Sequence, residues 1–479
     1  MKILPQLSRG KLSILKPYLP YGVVESWDDL NPKLYHAVHI YWLKFYGMWY
    51  NRHSPRCLYF WSQIIYTMIV LWLVCLLPAV GEIEYLLRRK DNVGEIAEGL
   101  YLFLSEMYTY FKVAVFWLNK RKILSLLKYL HCKEFEPDEL EHREILRDSI
   151  KTSRFVMTSY STMCVGAVSV AMIMPLAENF EILPTNVEYT YIDVDKAPTY
   201  PILYLHHVYY KPATCIIDGV MDTLLAAFVV CAIGQIKILA FNLRNFEEIA
   251  MRRRKRAIAQ RQFCGEHRQH YIRLVLKKCI LHYNAIIKYV SMIESAFSLA
   301  SALQFMLSVM VLCLVGIRFL SIENPRSHPI QIVWMAIYLA CMLIEVFILC
   351  WFGNELILKS LELSMAAYDG PWMKLDPKTT MLIIVFMERC KRPLRVTAGK
   401  IFTLSLDTYT NIPCPGSRVK TSTVASEDSN CQYGRTSGGG KPQGRSSWTL
   451  MEGSGNHQYL SEALGNTLQF GSPKDYHSY

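Results

Sequence analysis

Charge is what this sequence has little of. Of 479 residues, 19% are charged and 52% are hydrophobic. A soluble chain of this length carries more charge and divides into two or three domains. The start, MKILPQLSRGKLSILK, lacks an apolar run followed by a small-residue cleavage site. No cleavable signal peptide is therefore expected, and the first apolar span would do the targeting. Paired cysteines are lacking too. There are 14 cysteines and no CxxC, so a zinc site is not expected. Most lie in apolar runs (Cys75, Cys164, Cys231, Cys313, Cys350) or basic stretches (Cys132, Cys264, Cys279). A nucleophile–base pair and a phosphate cradle are also missing. The SGGGK within Gly434–Ser447 does not have GxxxxGK[ST] spacing. Neither an enzyme nor a cofactor is expected.

What the chain has is long apolar runs of about 20 residues, enough to cross a bilayer as helices. Six stand out: Cys57–Val80, about Glu95–Leu118, Phe155–Ala177, about Ala213–Leu239, Phe297–Leu320 and Gln331–Phe352. The second is weakened by Glu95, Glu98, Glu106 and Lys112. The fold class expected is all-α integral membrane, with six transmembrane helices. Lys and Arg are dense before Arg56, over Asn119–Arg154, over Ala240–Ala296 and over Gly353–Lys400. They are sparse over Gly81–Gly94, Glu178–Pro212 and Ser321–Ile330. Dense and sparse segments alternate without exception, which predicts an inside N-terminus. This inverted topology argues against a G-protein-coupled receptor. The net charge of +12 then belongs to cytoplasmic loops, not to a nucleic-acid surface. The run MRRRKR, Met251–Arg256, suits anionic lipid better than RNA.

Three regions follow from this. Residues 1–56 form a cytoplasmic segment with a re-entrant or amphipathic helix, 57–411 the multi-span domain, and 412–479 a disordered Gly/Ser-rich tail. Apolar periodicity continues beyond the spans as helices. One covers Lys120–Cys132, with Ile123, Leu124, Leu127 and Leu130 on one face, and others cover Leu274–Val290 and Leu356–Tyr368. Thr380–Met387 is too short to cross a bilayer and reads as a buried intracellular helix.

Three carboxylates fall inside spans: Asp218 and Asp222, at i and i+4 on one helix face, and Glu345. Such groups are expensive in hydrocarbon and mark a cavity, water or a partner. Two readings stay open for them: a polar contact to a ligand cavity, or interfacial placement and an interhelical hydrogen bond. The segment Glu178–Pro212, rich in Tyr and carrying His206-His207, reads as a loop. It is either a lid over a cavity or a set of interfacial aromatics; two histidines alone make a weak metal site.

Several residues then converge on one family. They are Gly47-Met48-Trp49 before the first span, Tyr368 and Trp372 in LSMAAYDGPW, Pro393-Leu394, and AGKIFTLSLDTYTN at Ala398–Asn411. With the inside N-terminus and the basic loop after span four, the chain resembles the insect odorant receptor family from about residue 30 to residue 411. The resemblance implies a seven-span subunit of a ligand-gated cation channel that works with a shared co-receptor subunit. It is closer to an odour-tuning subunit than to the co-receptor, whose long cytoplasmic insertion is not seen. The partners implied are the co-receptor, a small volatile ligand and the lipid bilayer, in the plasma membrane of olfactory neuron dendrites; nucleic acid is not among them.

A volatile ligand needs an enclosed apolar pocket with few polar groups. Tyr101, Ser105, Met172, Ile217, Trp334 and Tyr338, in the outer halves of the spans, are the residues expected to line it. In the family a seventh span follows the equivalent of Leu404–Asn411, but here Pro, Gly and Ser follow. The expectation is that the seventh helix is missing and that such a chain does not form its share of the pore. A gustatory-type chemoreceptor and a multi-span transporter are the alternatives. The gustatory ending, which would fall at Pro415-Gly416, is absent, and no internal repeat favours a transporter.

Overall fold

The computed structural model describes residues 35–49, 57–88, 93–177, 183, 187–189, 199–259, 268–322 and 329–411. Most of the N-terminal segment, the tail 412–479 and the question of a missing seventh span lie outside the described residues. The order is α1 (Ala37–Phe45), α2 (Cys57–Leu71), a π turn (Trp72–Leu76), α3 (Leu77–Arg88), α4 (Val93–Leu118), α5 (Lys120–Tyr129) and α6 (Leu140–Ala177). Then come α7 (Thr199–Arg244), α8 (Phe246–Ala259), α9 (Arg268–Leu320), α10 (Pro329–Tyr368) and α11 (Pro377–Cys390). A hairpin, β1 (Thr397–Ala398) with β2 (Phe402–Thr403), leads to α12 (Leu406–Asn411).

Among the described residues, five stretches are long and apolar enough to cross a membrane: Trp61–Arg88, Leu140–Ile173, Thr199–Arg244, Arg268–Leu320 and Ile332–Tyr368. The second expected span is α4, a helix of 26 residues. It is long enough, but its charges keep it out of that group. Of the five, Thr199–Arg244 has 89% of its most apolar window buried, against 22 to 33% for the others. The reason is in its sequence. From Leu224 to Gly234, three turns, it is apolar on every face, so that stretch has no side to give to solvent. It therefore forms the axis, packed chiefly on α6 and α10, while α4 lies along α9. The outer helices keep large apolar side chains exposed, among them Trp61, Ile65, Met68 and Trp72. Lipid would cover such a surface without penalty.

The helices extend well beyond a bilayer. At 53 residues, α9 is about 80 Å long, against a hydrocarbon core of about 30 Å. Around its first half, α5, α8 and α11 close a second packed region. In α5 the buried face is Ile123 and Leu126, with Leu130 beyond it; the expected Leu124 is turned outward. In α11, Ile383 and Phe386 are buried, Phe386 against Tyr283.

Two expectations change. The loop expected up to Pro212 is helical from Thr199 onward, because its Tyr and His side chains find partners along the helix. His206 Nε2 bonds the Leu73 carbonyl at 2.9 Å and His207 Nδ1 the Leu203 carbonyl at 2.7 Å. The Leu73 carbonyl is available because the π turn ends at Pro78, which has no N–H to offer. Tyr110 donates to the neighbouring Val74 carbonyl at 3.0 Å for the same reason. The second change concerns Met251–Arg256, which lies in α8 and is occupied by protein carboxylates. Arg252 pairs with Glu139, Glu141 and Glu248, Arg253 with Asp138, and Arg256 with Glu139.

The carboxy-terminal block is held by close approach. A Cβ on Gly353 of α10 would lie 2.3 Å from the Leu404 carbonyl oxygen, so only glycine fits there. Gly399 and Lys400 both take positive φ, +63° and +60°, to close the hairpin. Ser405 Oγ then accepts from the Thr408 N–H at 3.3 Å, an N-cap that starts α12.

Candidate functional site

Four helices enclose a cavity of about 130 Å³. Each contributes residues at helical spacing: Leu102, Ser105, Glu106 and Thr109 from α4; Cys164, Val168, Ala171 and Met172 from α6; Lys211, Thr214, Cys215 and Asp218 from α7; Trp334, Tyr338, Met342 and Glu345 from α10. A cavity of about 150 Å³ in another protein holds a benzene molecule, so the size suits one small ring or a short chain. The α6 side is apolar apart from Tyr160 and Cys164, and the charged and hydroxyl groups come chiefly from α4, α7 and α10.

Below the polar side lies an ion cluster built on Lys112, one turn beyond Thr109. Its Nζ is 2.7 Å from Asp218 Oδ1, 2.7 Å from Asp222 Oδ1 and 2.9 Å from Glu345 Oε1. An ammonium has three N–H donors, and here three carboxylates take them. Thr109 adds a bond to Asp218 at 3.1 Å and Gln304 one to Glu345 at 2.6 Å. The side chains of Lys112, Asp222 and Glu345 are 4%, 6% and 3% exposed. Burial at this level demands pairing, because an isolated charge there is very costly. Beyond the cluster is a second, smaller cavity of about 30 Å³, lined by Lys112, Asp222, Gln304 and Tyr108 among others. The cluster thus stands between two cavities. A second buried pair, Lys211 with Glu106, borders the larger one, with Glu82 at 3.4 Å from Lys211 Nζ and Tyr110 donating to Glu106 at 3.2 Å.

Of the six residues expected at the pocket, Ser105, Met172, Trp334 and Tyr338 line this cavity, and so do two of the intramembrane carboxylates, Asp218 and Glu345. Tyr101 does not; it packs behind, its ring 5.0 Å from that of Tyr338, against Val311, Val315 and Met335. Ile217 turns into the main core, away from the cavity, because it neighbours Asp218 on the helix and faces another way. Asp222 faces the smaller cavity. The two open readings of the carboxylates resolve into a third: all three meet one lysine. Lys112, Lys211, Glu106, Thr109 and Gln304 were not expected at the site. A signal existed, since Glu106 and Lys112 put charge of both signs into the same span level as Asp218 and Asp222. Among the described residues, Asp218, Asp222 and Glu345 are the one group with metal-ligand proximity, and the cation at their centre is the chain's own Lys112.

The family model described as 7tm Odorant receptor matches residues 92–413. The chain belongs to the odorant receptor family. It is similar to odorant receptor 46a, isoform B, of Drosophila melanogaster, 23% identical over 72% of this chain and 86% of that one. It is also similar to odorant receptor Or2 of Anopheles gambiae, 24% identical over 74% of this chain and 92% of that one. The similarity to the Anopheles gambiae odorant receptor coreceptor covers 29% of each chain, at 24% identity. Coverage of this kind fits an odour-tuning subunit. Among solved structures, the fold matches the insect olfactory receptor OR5 from Machilis hrabei with a TM-score of 0.63, 17% identity, over 78% of this chain and 93% of that chain. OR5 has also been solved in complex with eugenol, and that structure matches at TM-score 0.64 and 15% identity. This odorant receptor, with five apolar helical stretches of spanning length among the described residues, is a multi-pass membrane protein of olfaction.

Proposed function

We propose that this odorant receptor binds a small volatile ligand in the cavity between α4, α6, α7 and α10, and gates a cation channel together with a co-receptor subunit. The observation that carries the reading is the cavity itself: about 130 Å³, apolar toward α6, with polar groups on the other side. The alternation of basic segments supports an inside N-terminus, which puts the cavity in the outer half of the membrane. The plasma membrane of olfactory neuron dendrites is the location that goes with this role. Residues 412–479 hold no apolar run long enough to cross a bilayer, so a span appended after Asn411 tests what a seventh helix adds.

The experiment is co-expression with a co-receptor and current recording against a panel of volatiles. It is run on the chain as it stands and on a version with an apolar span appended after Asn411. Currents are expected only with the appended span. Surface-expressed protein that stays silent in both forms would overturn the channel reading.

A further inference from the structure

The cavity has an imbalance of charge. Glu106, Asp218 and Glu345 line it against a single lining lysine, Lys211. Lys112 behind the wall must also serve Asp222, and Lys211 must also serve Glu82. Five carboxylates therefore share two ammonium groups. Where water is scarce, unmatched charge of one sign is unfavourable, and a positive group entering the cavity relieves it.

Two further features of the wall point to what that group is. The hydroxyl of Tyr338 is buried with Ser105 beside it as a hydrogen-bond partner, and its oxygen has a second lone pair that can accept an N–H. The rings of Trp334 and Tyr338 stand 6.3 Å apart on the same helix face, and aromatic faces attract cations. Asp218 leaves room for another donor on Oδ2, whereas Glu345 also shares a hydrogen bond with Asp222. Lys112 and Thr109 both donate to Oδ1 of Asp218, and Lys112 and Gln304 both donate to Oε1 of Glu345. The opposite wall, Val168, Ala171 and Met172, is apolar.

We propose that the cavity takes a protonated primary amine on an apolar body of about one ring, its ammonium set against Asp218 and Glu345 with Tyr338 as the third acceptor. This rests on the reading of the cavity as the ligand site. The three N–H donors of an alkylammonium match the three acceptors, as the three donors of Lys112 match its own carboxylates. The apolar body lies toward α6.

The test uses the full chain in lipid nanodiscs and three probes that share one ring: benzylamine, benzyl alcohol and toluene. Binding is measured by calorimetry. Benzylamine is expected to bind at least about tenfold tighter than benzyl alcohol, with toluene weakest. Asp218→Asn is expected to weaken benzylamine by about tenfold and benzyl alcohol by less than about threefold. Should that variant not fold, Tyr338→Phe reads the same discrimination with a smaller loss. Benzyl alcohol or toluene binding as tightly as benzylamine, no binding by any probe, or benzylamine affinity untouched by both variants overturns the proposal. The channel reading fails separately. Amine binding without current in the form with the appended span leaves this inference standing, and currents to neutral volatiles without amine preference leave only the channel reading.

Discussion

The two ends of the helix bundle use the same residue types with opposite consequences. Around the first half of α9, α5, α8 and α11 close a core that holds a small cavity of about 20 Å³, and its ion pairs reach the surface on the arginine side: Arg252 is 31% exposed and Arg256 57%, while the Glu139 they share is buried. At the other end, where α4, α6, α7 and α10 meet, the core is opened by a cavity, and Lys112 is 4% exposed among three carboxylates. A surface pair can lose a partner to water. A buried one cannot, so its removal leaves charge with no solvent to take it. The depth of a charge, more than the number of its partners, sets what it contributes.

The strongest way to break this contrast is Lys112→Met. It is expected to cost about 3–5 kcal/mol, read as a fall in melting temperature or in folded yield in detergent. Adding Asp218→Asn, Asp222→Asn and Glu345→Gln to it is expected to recover most of the loss, since no buried charge then lacks a partner. Failure to recover would mean that packing, not charge, holds that end together.

Gly353→Ala comes next, at about 1–3 kcal/mol, because its methyl would meet the Leu404 carbonyl oxygen. Faster proteolysis within residues 397–411 is the local signature to look for.

Arg252→Ala, despite three carboxylate neighbours, is expected to cost under about 1 kcal/mol. A loss as large as that of Lys112→Met would erase the distinction between the two ends.

The smallest effect is on pH. Burial pushes the Asp138 carboxyl up, but Lys278 and Arg253 outweigh it and hold the group below its ordinary value. Its contribution is therefore fully present above the unfolded carboxylate range, about 3.9, and is lost as pH falls through the lower folded value. Melting temperature should be insensitive to this group between neutral pH and about 5, and Asp138→Asn should flatten the decline on further acidification.

Much of the architecture was legible along the chain because it rests on local pattern. Runs of apolar residues long enough to span a bilayer announce helices whatever their neighbours, whereas the central place of α7 appears only in the packing. The short helix over Thr380–Met387 is legible from local pattern as well. Gly47-Met48-Trp49 and the block ending at Asn411 pointed to the family before any contact was known. Six of the nine residues expected at the site line the cavity, since inward-facing positions on a helix repeat every three or four residues. Ile217 and Tyr101 do not line it, because Ile217 packs into the main core and Tyr101 packs against Val311, Val315 and Met335. Three arginines of Met251–Arg256, read along the chain as suited to anionic lipid, meet carboxylates at Asp138, Glu139, Glu141 and Glu248.

What the sequence by itself determined is the list of helices, their apolar faces and the presence of intramembrane charge, since each depends on residues near one another in the chain. What only the tertiary structure decided is who meets whom. Lys112 lies 106 residues from Asp218 and 233 from Glu345, and nothing local links them. Only packing α4 against α7 and α10 brings one ammonium to three carboxylates, and it is that packing which turns three isolated liabilities in hydrocarbon into the wall of a cavity.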